Sequence, residues 1–401
     1  MKTTRREFIA ASAAALAAAQ AWGQSPNERL GIGLIGCGNR GNAHLGDLIN
    51  LREAHNLQVV ALCDVWKKNL DAAQARVQKE SGAAPKTFTR FEELLALPEV
   101  DAVVIATPDF AHSPMLIAAA NAKKHAYCEK PMAVRLEDAN GAVDAVEQHQ
   151  IVCQMGTQYR SGGGHMAGAK LIQAGALGKM IKCHTTYNDC GPRWIRPFDE
   201  VKAEDVDWKQ YLMYLPDQPF DPRKFRLWHL YKDCTVGLIG LLGVHPIDVA
   251  HWYTEDPLPL SAVGMGAKIA WTDREHLDTQ ECTLAYPKGH ILQFSSRLGN
   301  ANGGPQNVFF GTKGTFDTES WTLRGDGGGD EKIGTPLTVE PEKAPGHMEN
   351  WLQCIREKNR KTRADVHAGY AHSIASIMGA RACETGRRMI YNAQSRTITE
   401  G

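Results

Sequence analysis

The sequence has no CxxC pair, no sustained apolar run and no surplus of charge, and each absence removes a class of function. Without cysteines paired at that spacing, neither a zinc site nor a thioredoxin-like redox couple is indicated. The ten cysteines are instead scattered through 401 residues. Cys37, Cys63, Cys128 and Cys153 sit in apolar, strand-like runs, where a free thiol behaves as a small hydrophobe. Cys183 and Cys190 could bridge, although spacing alone gives no geometric support for it. Lys plus Arg and Asp plus Glu both number 45, so nothing marks a nucleic-acid surface or a polybasic membrane contact. The apolar run near the start is about a dozen residues, mostly Ala, too short and weak to be a stable membrane anchor. No internal repeat or low-complexity tract follows it.

What that start does have is a pair of arginines, "TTRREFIA", ahead of "ASAAALAAAQA". Twin arginines, a weakly apolar segment and small residues at the end read as a Tat-type export leader over residues 1–23, cut after Ala21 or Gly23. The leader carries net +2, which leaves −2 on the remainder. This predicts a periplasmic or extracellular protein exported in its folded state, and thiols kept reduced during folding agree with that route. The remainder belongs to a chain that is 43% apolar and 22% charged, enough for two domains with ordinary cores.

From residue 29 the pattern alternates. "LGIGLIGCG", "LQVVALCDV", "VDAVVIATP", "HAYCEKP" and "IVCQMGTQ" are strand-like, and helical stretches from about Asn42, "KKNLDAAQARVQKE", "SPMLIAAANAKK" and "LEDANGAVDAVEQHQ" separate them. Continuous apolar strands alternating with helices predict a doubly wound parallel sheet over residues 29–158. Residues 159–401 read differently: after the helix "HMAGAKLIQAGALG", strand-like runs are joined by tight turns such as "YPKGH". Two helices, "HMENWLQCIREKN" and "HAGYAHSIASIMGARACE", come last. The fold class expected is therefore α/β: a Rossmann-type sheet, then an α+β domain with a large, mostly antiparallel open sheet.

The turn after the first strand, "GCGNRG", supplies Gly36, Gly38, Asn39, Arg40 and Gly41. Gly36 permits a tight turn, Gly38 lets a pyrophosphate approach the backbone, and Gly41 lets helix and strand pack closely. Anionic phosphates would meet free N–H groups at the positive end of the helix dipole. Asp64 closes the second strand, placed to accept from both hydroxyls of a ribose. A carboxylate there repels the additional phosphate of NADP, so the expected cofactor is NAD rather than NADP. In "CEKPMAV", Pro131 biases Lys130 toward extended backbone at the carboxyl end of a parallel strand, on the rim where such sheets bind ligands. Beside a cationic nicotinamide a lysine loses its proton more readily, and Lys130 could then share a substrate hydroxyl proton. Glu129 is expected to support the cofactor or Lys130.

The combination of "GCGNRG", "ATPDFAHSPM", "CEKPMA", "GTQYR" and "GVHPIDVAHW" resembles the Gfo/Idh/MocA oxidoreductases, a family that includes glucose–fructose oxidoreductase, inositol dehydrogenases and NAD-dependent glycosidases. The resemblance implies a carbohydrate or polyol substrate held between the two domains, and a homo-oligomer formed through the open sheet. It also places Thr107, Pro108 and His112 near the cofactor, and Gln158 and Arg160 in the crossover between domains. Lys130 becomes the family's EKP lysine, His245 an acid/base near the substrate, and Asp248 a residue that orients His245 or binds a hydroxyl.

His245, Asp248 and His251 do not form a metal set, because residues three and six apart turn progressively away around a helix. One position departs from the family pattern: many of its dehydrogenases carry an aspartate four residues before the histidine, where this chain has Leu241. Asp189, Asp233 and Tyr231 are candidates to replace that acid. Trp194, Trp208, Trp228, His229 and Tyr231 form a loop-rich aromatic region that could stack on sugar faces or pack as core. An exported protein has no pool of NAD to exchange with. The reading is therefore an NAD-dependent sugar or polyol oxidoreductase with a tightly bound, internally recycled cofactor. An NAD-dependent glycosidase working by oxidation, elimination and hydration is the alternative, and a non-catalytic binding homologue is another.

Overall fold

The computed structural model describes residues 29–190, 196–329 and 331–401. The leader at residues 1–23 and Trp194 lie outside the described residues. The first half is built from β1 (Leu30–Ile35), α1 (Asn39–Leu51), β2 (Leu57–Cys63), α2 (Lys67–Ser81), β3 (Lys86–Phe88), α3 (Phe91–Leu95), β4 (Ala102–Ile105), α4 (His112–Asn121), β5 (His125–Cys128), α5 (Leu136–His149) and β6 (Cys153–Met155). All six strands run parallel in the order β3-β2-β1-β4-β5-β6. That is the Rossmann order, with its switch point between β1 and β4, where the loops leave the sheet in opposite directions and open a crevice. Every residue of β1 is buried because helices cover both faces of the sheet, which explains its unbroken apolar reading.

The second half contains α6 (Gly163–Gln173), β7 (Met180–Thr186), α7 (Trp208–Leu212), α8 (Pro222–Arg226), α9 (Val244–Thr254), β8 (Ser261–Ala267), β9 (Thr279–Ala285), β10 (Ile291–Arg297), β11 (Gln306–Gly311), β12 (Thr315–Asp317), β13 (Thr322–Arg324), β14 (Leu337–Thr338), α10 (His347–Arg356), α11 (Val366–Thr385), β15 (Met389–Asn392) and β16 (Thr397–Glu400). Its sheet has ten strands in the order β14-β13-β12-β11-β7-β10-β9-β8-β15-β16. Pairing is antiparallel except between β7 and β10, whose connection runs through α9 and two further strands. The "YPKGH" turn joins β9 to β10, with Gly289 at φ +89° where a side chain would be strained.

One face of the parallel sheet shares a continuous core with α4, α5, α11 and the large sheet. On the other face α1 and α2 are joined by α10, whose Met348, Trp351 and Leu352 pack on Leu34, Val104 and Tyr127. The chain thus returns to its first half late: Met155 N donates to Ala364 O at 2.7 Å, and Gln154 Nε2 to His347 O at 2.5 Å.

Three local readings differ from expectation. The first helix starts at Asn39 with Gly38 as its cap, not at about Asn42, so Gly41 sits inside its first turn. Strand β3 is a short, mostly exposed edge, and β12–β16 are short or partly exposed, so none carries a long apolar run. Cys183 and Cys190 are both free thiols, one buried under the sheet and one exposed. No described helix is long and apolar enough to cross a membrane.

Candidate functional site

The loop from β1 to α1 is shaped by its glycines. Gly36 has φ +89°, and a Cβ on Gly41 would lie 1.8 Å from Gly36 O, so neither position admits a side chain without moving the backbone. At Gly38 a Cβ would meet only Asn69 Nδ2 at 3.6 Å, so its free side faces open space in the crevice. Asp64 at the end of β2 steadies the turn: Cys37 N donates to it at 2.7 Å and Trp66 N at 2.8 Å. Burial raises the Asp64 carboxyl, and those N–H groups with Asn69 offset part of the effect.

At the end of β5, Glu129 collects donors from four directions. Arg40 Nε reaches it at 2.7 Å, His44 Nε2 at 2.8 Å, Gln158 Nε2 at 3.1 Å and the amide of Lys130 at 3.2 Å. Burial alone would raise its pKa, but the His44 hydrogen bond and the charges of His44, Arg40 and Lys130 hold it well below the carboxylate range. Burial also disfavours charge on His44, yet the Asp47 carboxylate 3.8 Å away and the bond to Glu129 outweigh this and raise its pKa. Glu129 therefore fixes the glycine-loop helix to the strand that carries Lys130. His44 gave no signal in the sequence, because its partner is 85 residues away.

The peptide bond between Lys130 and Pro131 is cis. Lys130 Nζ donates to Leu241 O at 2.5 Å. Leu241 lies in a π-helical turn, Ile239–Gly243, that leads directly into α9. A carbonyl in that wide register looks for the N–H five residues on, which at 241 means Pro246, and proline has none. The backbone oxygen of Leu241 is thereby available to Lys130, although the side chain at this position is apolar.

His245, on the first turn of α9, faces the same space. Its Nδ1 has no hydrogen-bond partner among the described residues, and its ring lies 5.1 Å from that of Tyr159. Burial, with Lys130 nearby, lowers its pKa to about 3, so the imidazole is neutral under ordinary conditions. Asp248 is wholly buried and held by Arg160 at 2.7 and 2.9 Å, with His372 Nδ1 at 4.0 Å. Burial would raise its carboxyl, but Arg160 and His372 keep it below the usual range. Its carboxylate is thus committed to the crossover segment and does not face the crevice.

Two adjoining hollows share Arg40, Ala106, Thr107, Arg196 and Trp228, which makes them one cleft. The first, about 1090 Å³, runs along Gly36, Gly38, Asn39 and Asp64 to Pro108. The second, about 1040 Å³, is lined by His112, Glu129, Lys130, Gln158, Leu241 and His245. The expected site residues thus converge on this cleft, except Gly41, inside its helix, and Asp248. His112 bridges the walls, with Nδ1 2.8 Å from Pro131 O and Nε2 2.9 Å from Thr107 O. Trp228 and His229 line the second hollow, whereas Trp208 stacks on Tyr211 behind the first. Of the candidates to replace the acid at 241, Asp233 pairs with Lys224 at 2.5 Å and Tyr231 receives Arg223 at 2.8 Å. Neither lines the hollow, nor does Asp189; Asp109 does. Among the described residues no group of His, Cys, Asp or Glu is arranged to hold a metal ion.

The cleft fits a dinucleotide: a backbone cradle open at Gly38, a carboxylate at the end of β2, and buried Thr107 Oγ1 and His245 Nδ1, both without a hydrogen-bond partner among the described residues. Comparison with known proteins agrees. A family model described as oxidoreductase family, NAD-binding Rossmann fold, matches residues 30–157, and the GFO/IDH/MocA C-terminal domain matches residues 210–317. An α-N-acetylgalactosaminidase of Shewanella oneidensis is 27% identical over 184 residues, 45% of this chain and 39% of that protein. A glycosyl hydrolase family 109 protein of another Shewanella strain matches to the same extent, so the chain spans 39% of the length of these relatives. In fold it is similar to the WlbA dehydrogenase of Bordetella pertussis, solved with NADH and UDP-GlcNAcA (TM-score 0.68, 20% identity, 91% of this chain and 99% of that one). It is similar too to the aldose–aldose oxidoreductase of Caulobacter crescentus, solved with glycerol (TM-score 0.68, 19% identity, 90% and 100%).

Proposed function

Because the chain belongs to the Gfo/Idh/MocA family of NAD-binding oxidoreductases, we propose that it acts on a carbohydrate or polyol with NAD that stays bound and is returned to its starting state in each cycle. The observation that carries this reading is the single cleft joining the glycine loop to Lys130 and His245. A nicotinamide bound there supplies the acceptor for the hydrogen and electron pair of a carbinol carbon. Lys130 and the neutral His245 then hold the hydroxyl proton, Glu129 fixes the loop against β5, and Trp228 and Tyr187 offer apolar ring faces to a sugar. Asp64 favours NAD over NADP by repelling an added phosphate.

Retention of the cofactor follows from the twin-arginine start, Arg5 and Arg6, which favours export of a folded, loaded protein. Denaturing the purified protein and identifying the nucleotide released, with its redox state, tests the central claim. One equivalent of NAD is expected, and an empty protein overturns retention. Cell fractionation of Arg5→Lys/Arg6→Lys tests export: the variant is expected to stay in the cytoplasm.

A second reading has its own support. The curated relatives are named as family 109 glycosyl hydrolases and an α-N-acetylgalactosaminidase. In a glycosidase of this kind, oxidation acidifies the neighbouring C–H, elimination and hydration follow, and the hydrogen returns to the sugar. Release of nitrophenol from nitrophenyl N-acetyl-α-galactosaminide without added NAD decides for hydrolysis over net oxidation.

A further inference from the structure

The apolar residue at 241 leaves open which group exchanges protons with Lys130. The short turn Asp109–Ala111 follows β4, beside the β5 end that carries Lys130. Two hydrogen bonds tie it to the segment before the π turn: Phe110 N donates to Cys234 O at 3.1 Å, and Thr235 Oγ1 to Asp109 Oδ2 at 2.7 Å. Asp109 and Thr235 are both buried, yet the aspartate lines the hollow that Lys130 and His245 share.

We propose that Asp109 is the positioning acid of Lys130, taking up and returning the proton that the lysine exchanges with substrate, in place of a carboxylate at 241. The proposal rests on the reading of the cleft given above. In the oxidative direction the Lys130 amine accepts the hydroxyl proton and becomes ammonium. It then gives one proton to the Asp109 carboxylate, which releases it to water in the cleft. A nicotinamide held by the glycine loop would supply the acceptor for the carbon's hydrogen and electron pair, so charge and electrons would balance.

The surroundings suit such an exchange. Burial raises the Asp109 carboxyl to about 7, with Lys130 and the Thr235 hydroxyl opposing the rise and Glu129 adding to it. Arg40 from α1, His112 from α4, and His245 from α9 line the same hollow, as do Arg196 and His229. Cys234 feels the Asp109 charge, and His372 of α11 feels Lys130. Among these Glu129 is held as a carboxylate and His245 is held neutral, while burial lowers the pKa of His112 against the two carbonyls its ring faces. Asp109 is thus the carboxyl in the hollow poised to change charge near neutrality.

The test needs no substrate. Trace labelling with acetic anhydride, read peptide by peptide by mass spectrometry, follows the reactivity of Lys130 against pH. Asp109→Asn keeps an acceptor for Thr235 but removes the charge, so Lys130 should become reactive at lower pH, with labelling about tenfold faster at pH 8 for a shift of one unit. Thr235→Val, which lets Asp109 stay protonated to higher pH, should shift the curve the same way by less, and it serves if Asp109→Asn fails to fold. Both variants should still bind added NAD after their own nucleotide is removed, which shows that each has folded. Identical labelling curves in proteins that bind NAD overturn the role of Asp109 alone. Failure of wild-type protein, freed of nucleotide, to bind NAD overturns the nucleotide reading beneath it.

Discussion

Arg160 and Asp248 form a buried pair whose members depend on each other. Removing one partner leaves an uncompensated charge, so Arg160→Met should cost about 3–5 kcal/mol in denaturant unfolding, while Arg160→Met/Asp248→Leu should recover much of it. The pH dependence has a definite sign. The folded-state pKa of Asp248 is depressed, so its contribution is complete above the unfolded Asp value of about 3.9 and is lost on acidification below it. Unfolding midpoints between pH 5 and pH 2 should fall more steeply in the wild type than in the double variant. The glycines separate binding from folding in the same way. With nucleotide stripped from every protein, Gly38→Ala, whose Cβ meets only Asn69 at 3.6 Å among the described residues, should melt with the wild type yet fail to rebind nucleotide; Gly41→Ala, 1.8 Å from Gly36 O, should unfold at much lower temperature. These residues also mark what the sequence makes legible. The glycine loop and Lys130 lie within runs of a few residues whose chemistry is local. Arg160 meets its partner across 88 positions and Asp109 meets Thr235 across 126, so no window of sequence shows either pairing.

Among the elements, the parallel strands were the most legible because burial on both faces forces an unbroken apolar run, as in β1 and β4. The strands beyond β11 carry no such run, and their pairing is set by long-range neighbours. The π turn before α9 was illegible for another reason: a one-residue widening leaves helical periodicity almost intact. Its effect is still measurable. Pro246→Ala restores an N–H within reach of Leu241 O, which then competes with Lys130 for that carbonyl. Weakening a hydrogen bond to the charged amine favours its neutral form, so the labelling curve of Lys130 should move down by about one pH unit. An unmoved curve would mean that the proline does not control the carbonyl.

At the scale of the whole molecule, the described residues cover the ten-stranded sheet on one face only. Gln280, Cys282 and Leu284 of β9 point inward toward α11, and the opposite face presents Ile181, Val263, Met265 and Ile291 to solvent, with Ile269 just beyond β8. Met265 is 73% and Ile269 68% exposed, high for large apolar side chains only four residues apart in the chain. We propose a second copy of the chain as its occupant, the contact the family resemblance implies, because pairing about a two-fold axis would cover the apolar side chains of both copies at once. Met265→Glu/Ile269→Lys places charge at the far end of β8, on residues that line neither hollow of the cleft. In sedimentation velocity the wild type should run as a dimer or larger and the variant as a monomer of about 44 kDa, with bound nucleotide unchanged. A wild type that sediments as a monomer at micromolar concentration would remove the face from consideration as a contact between copies.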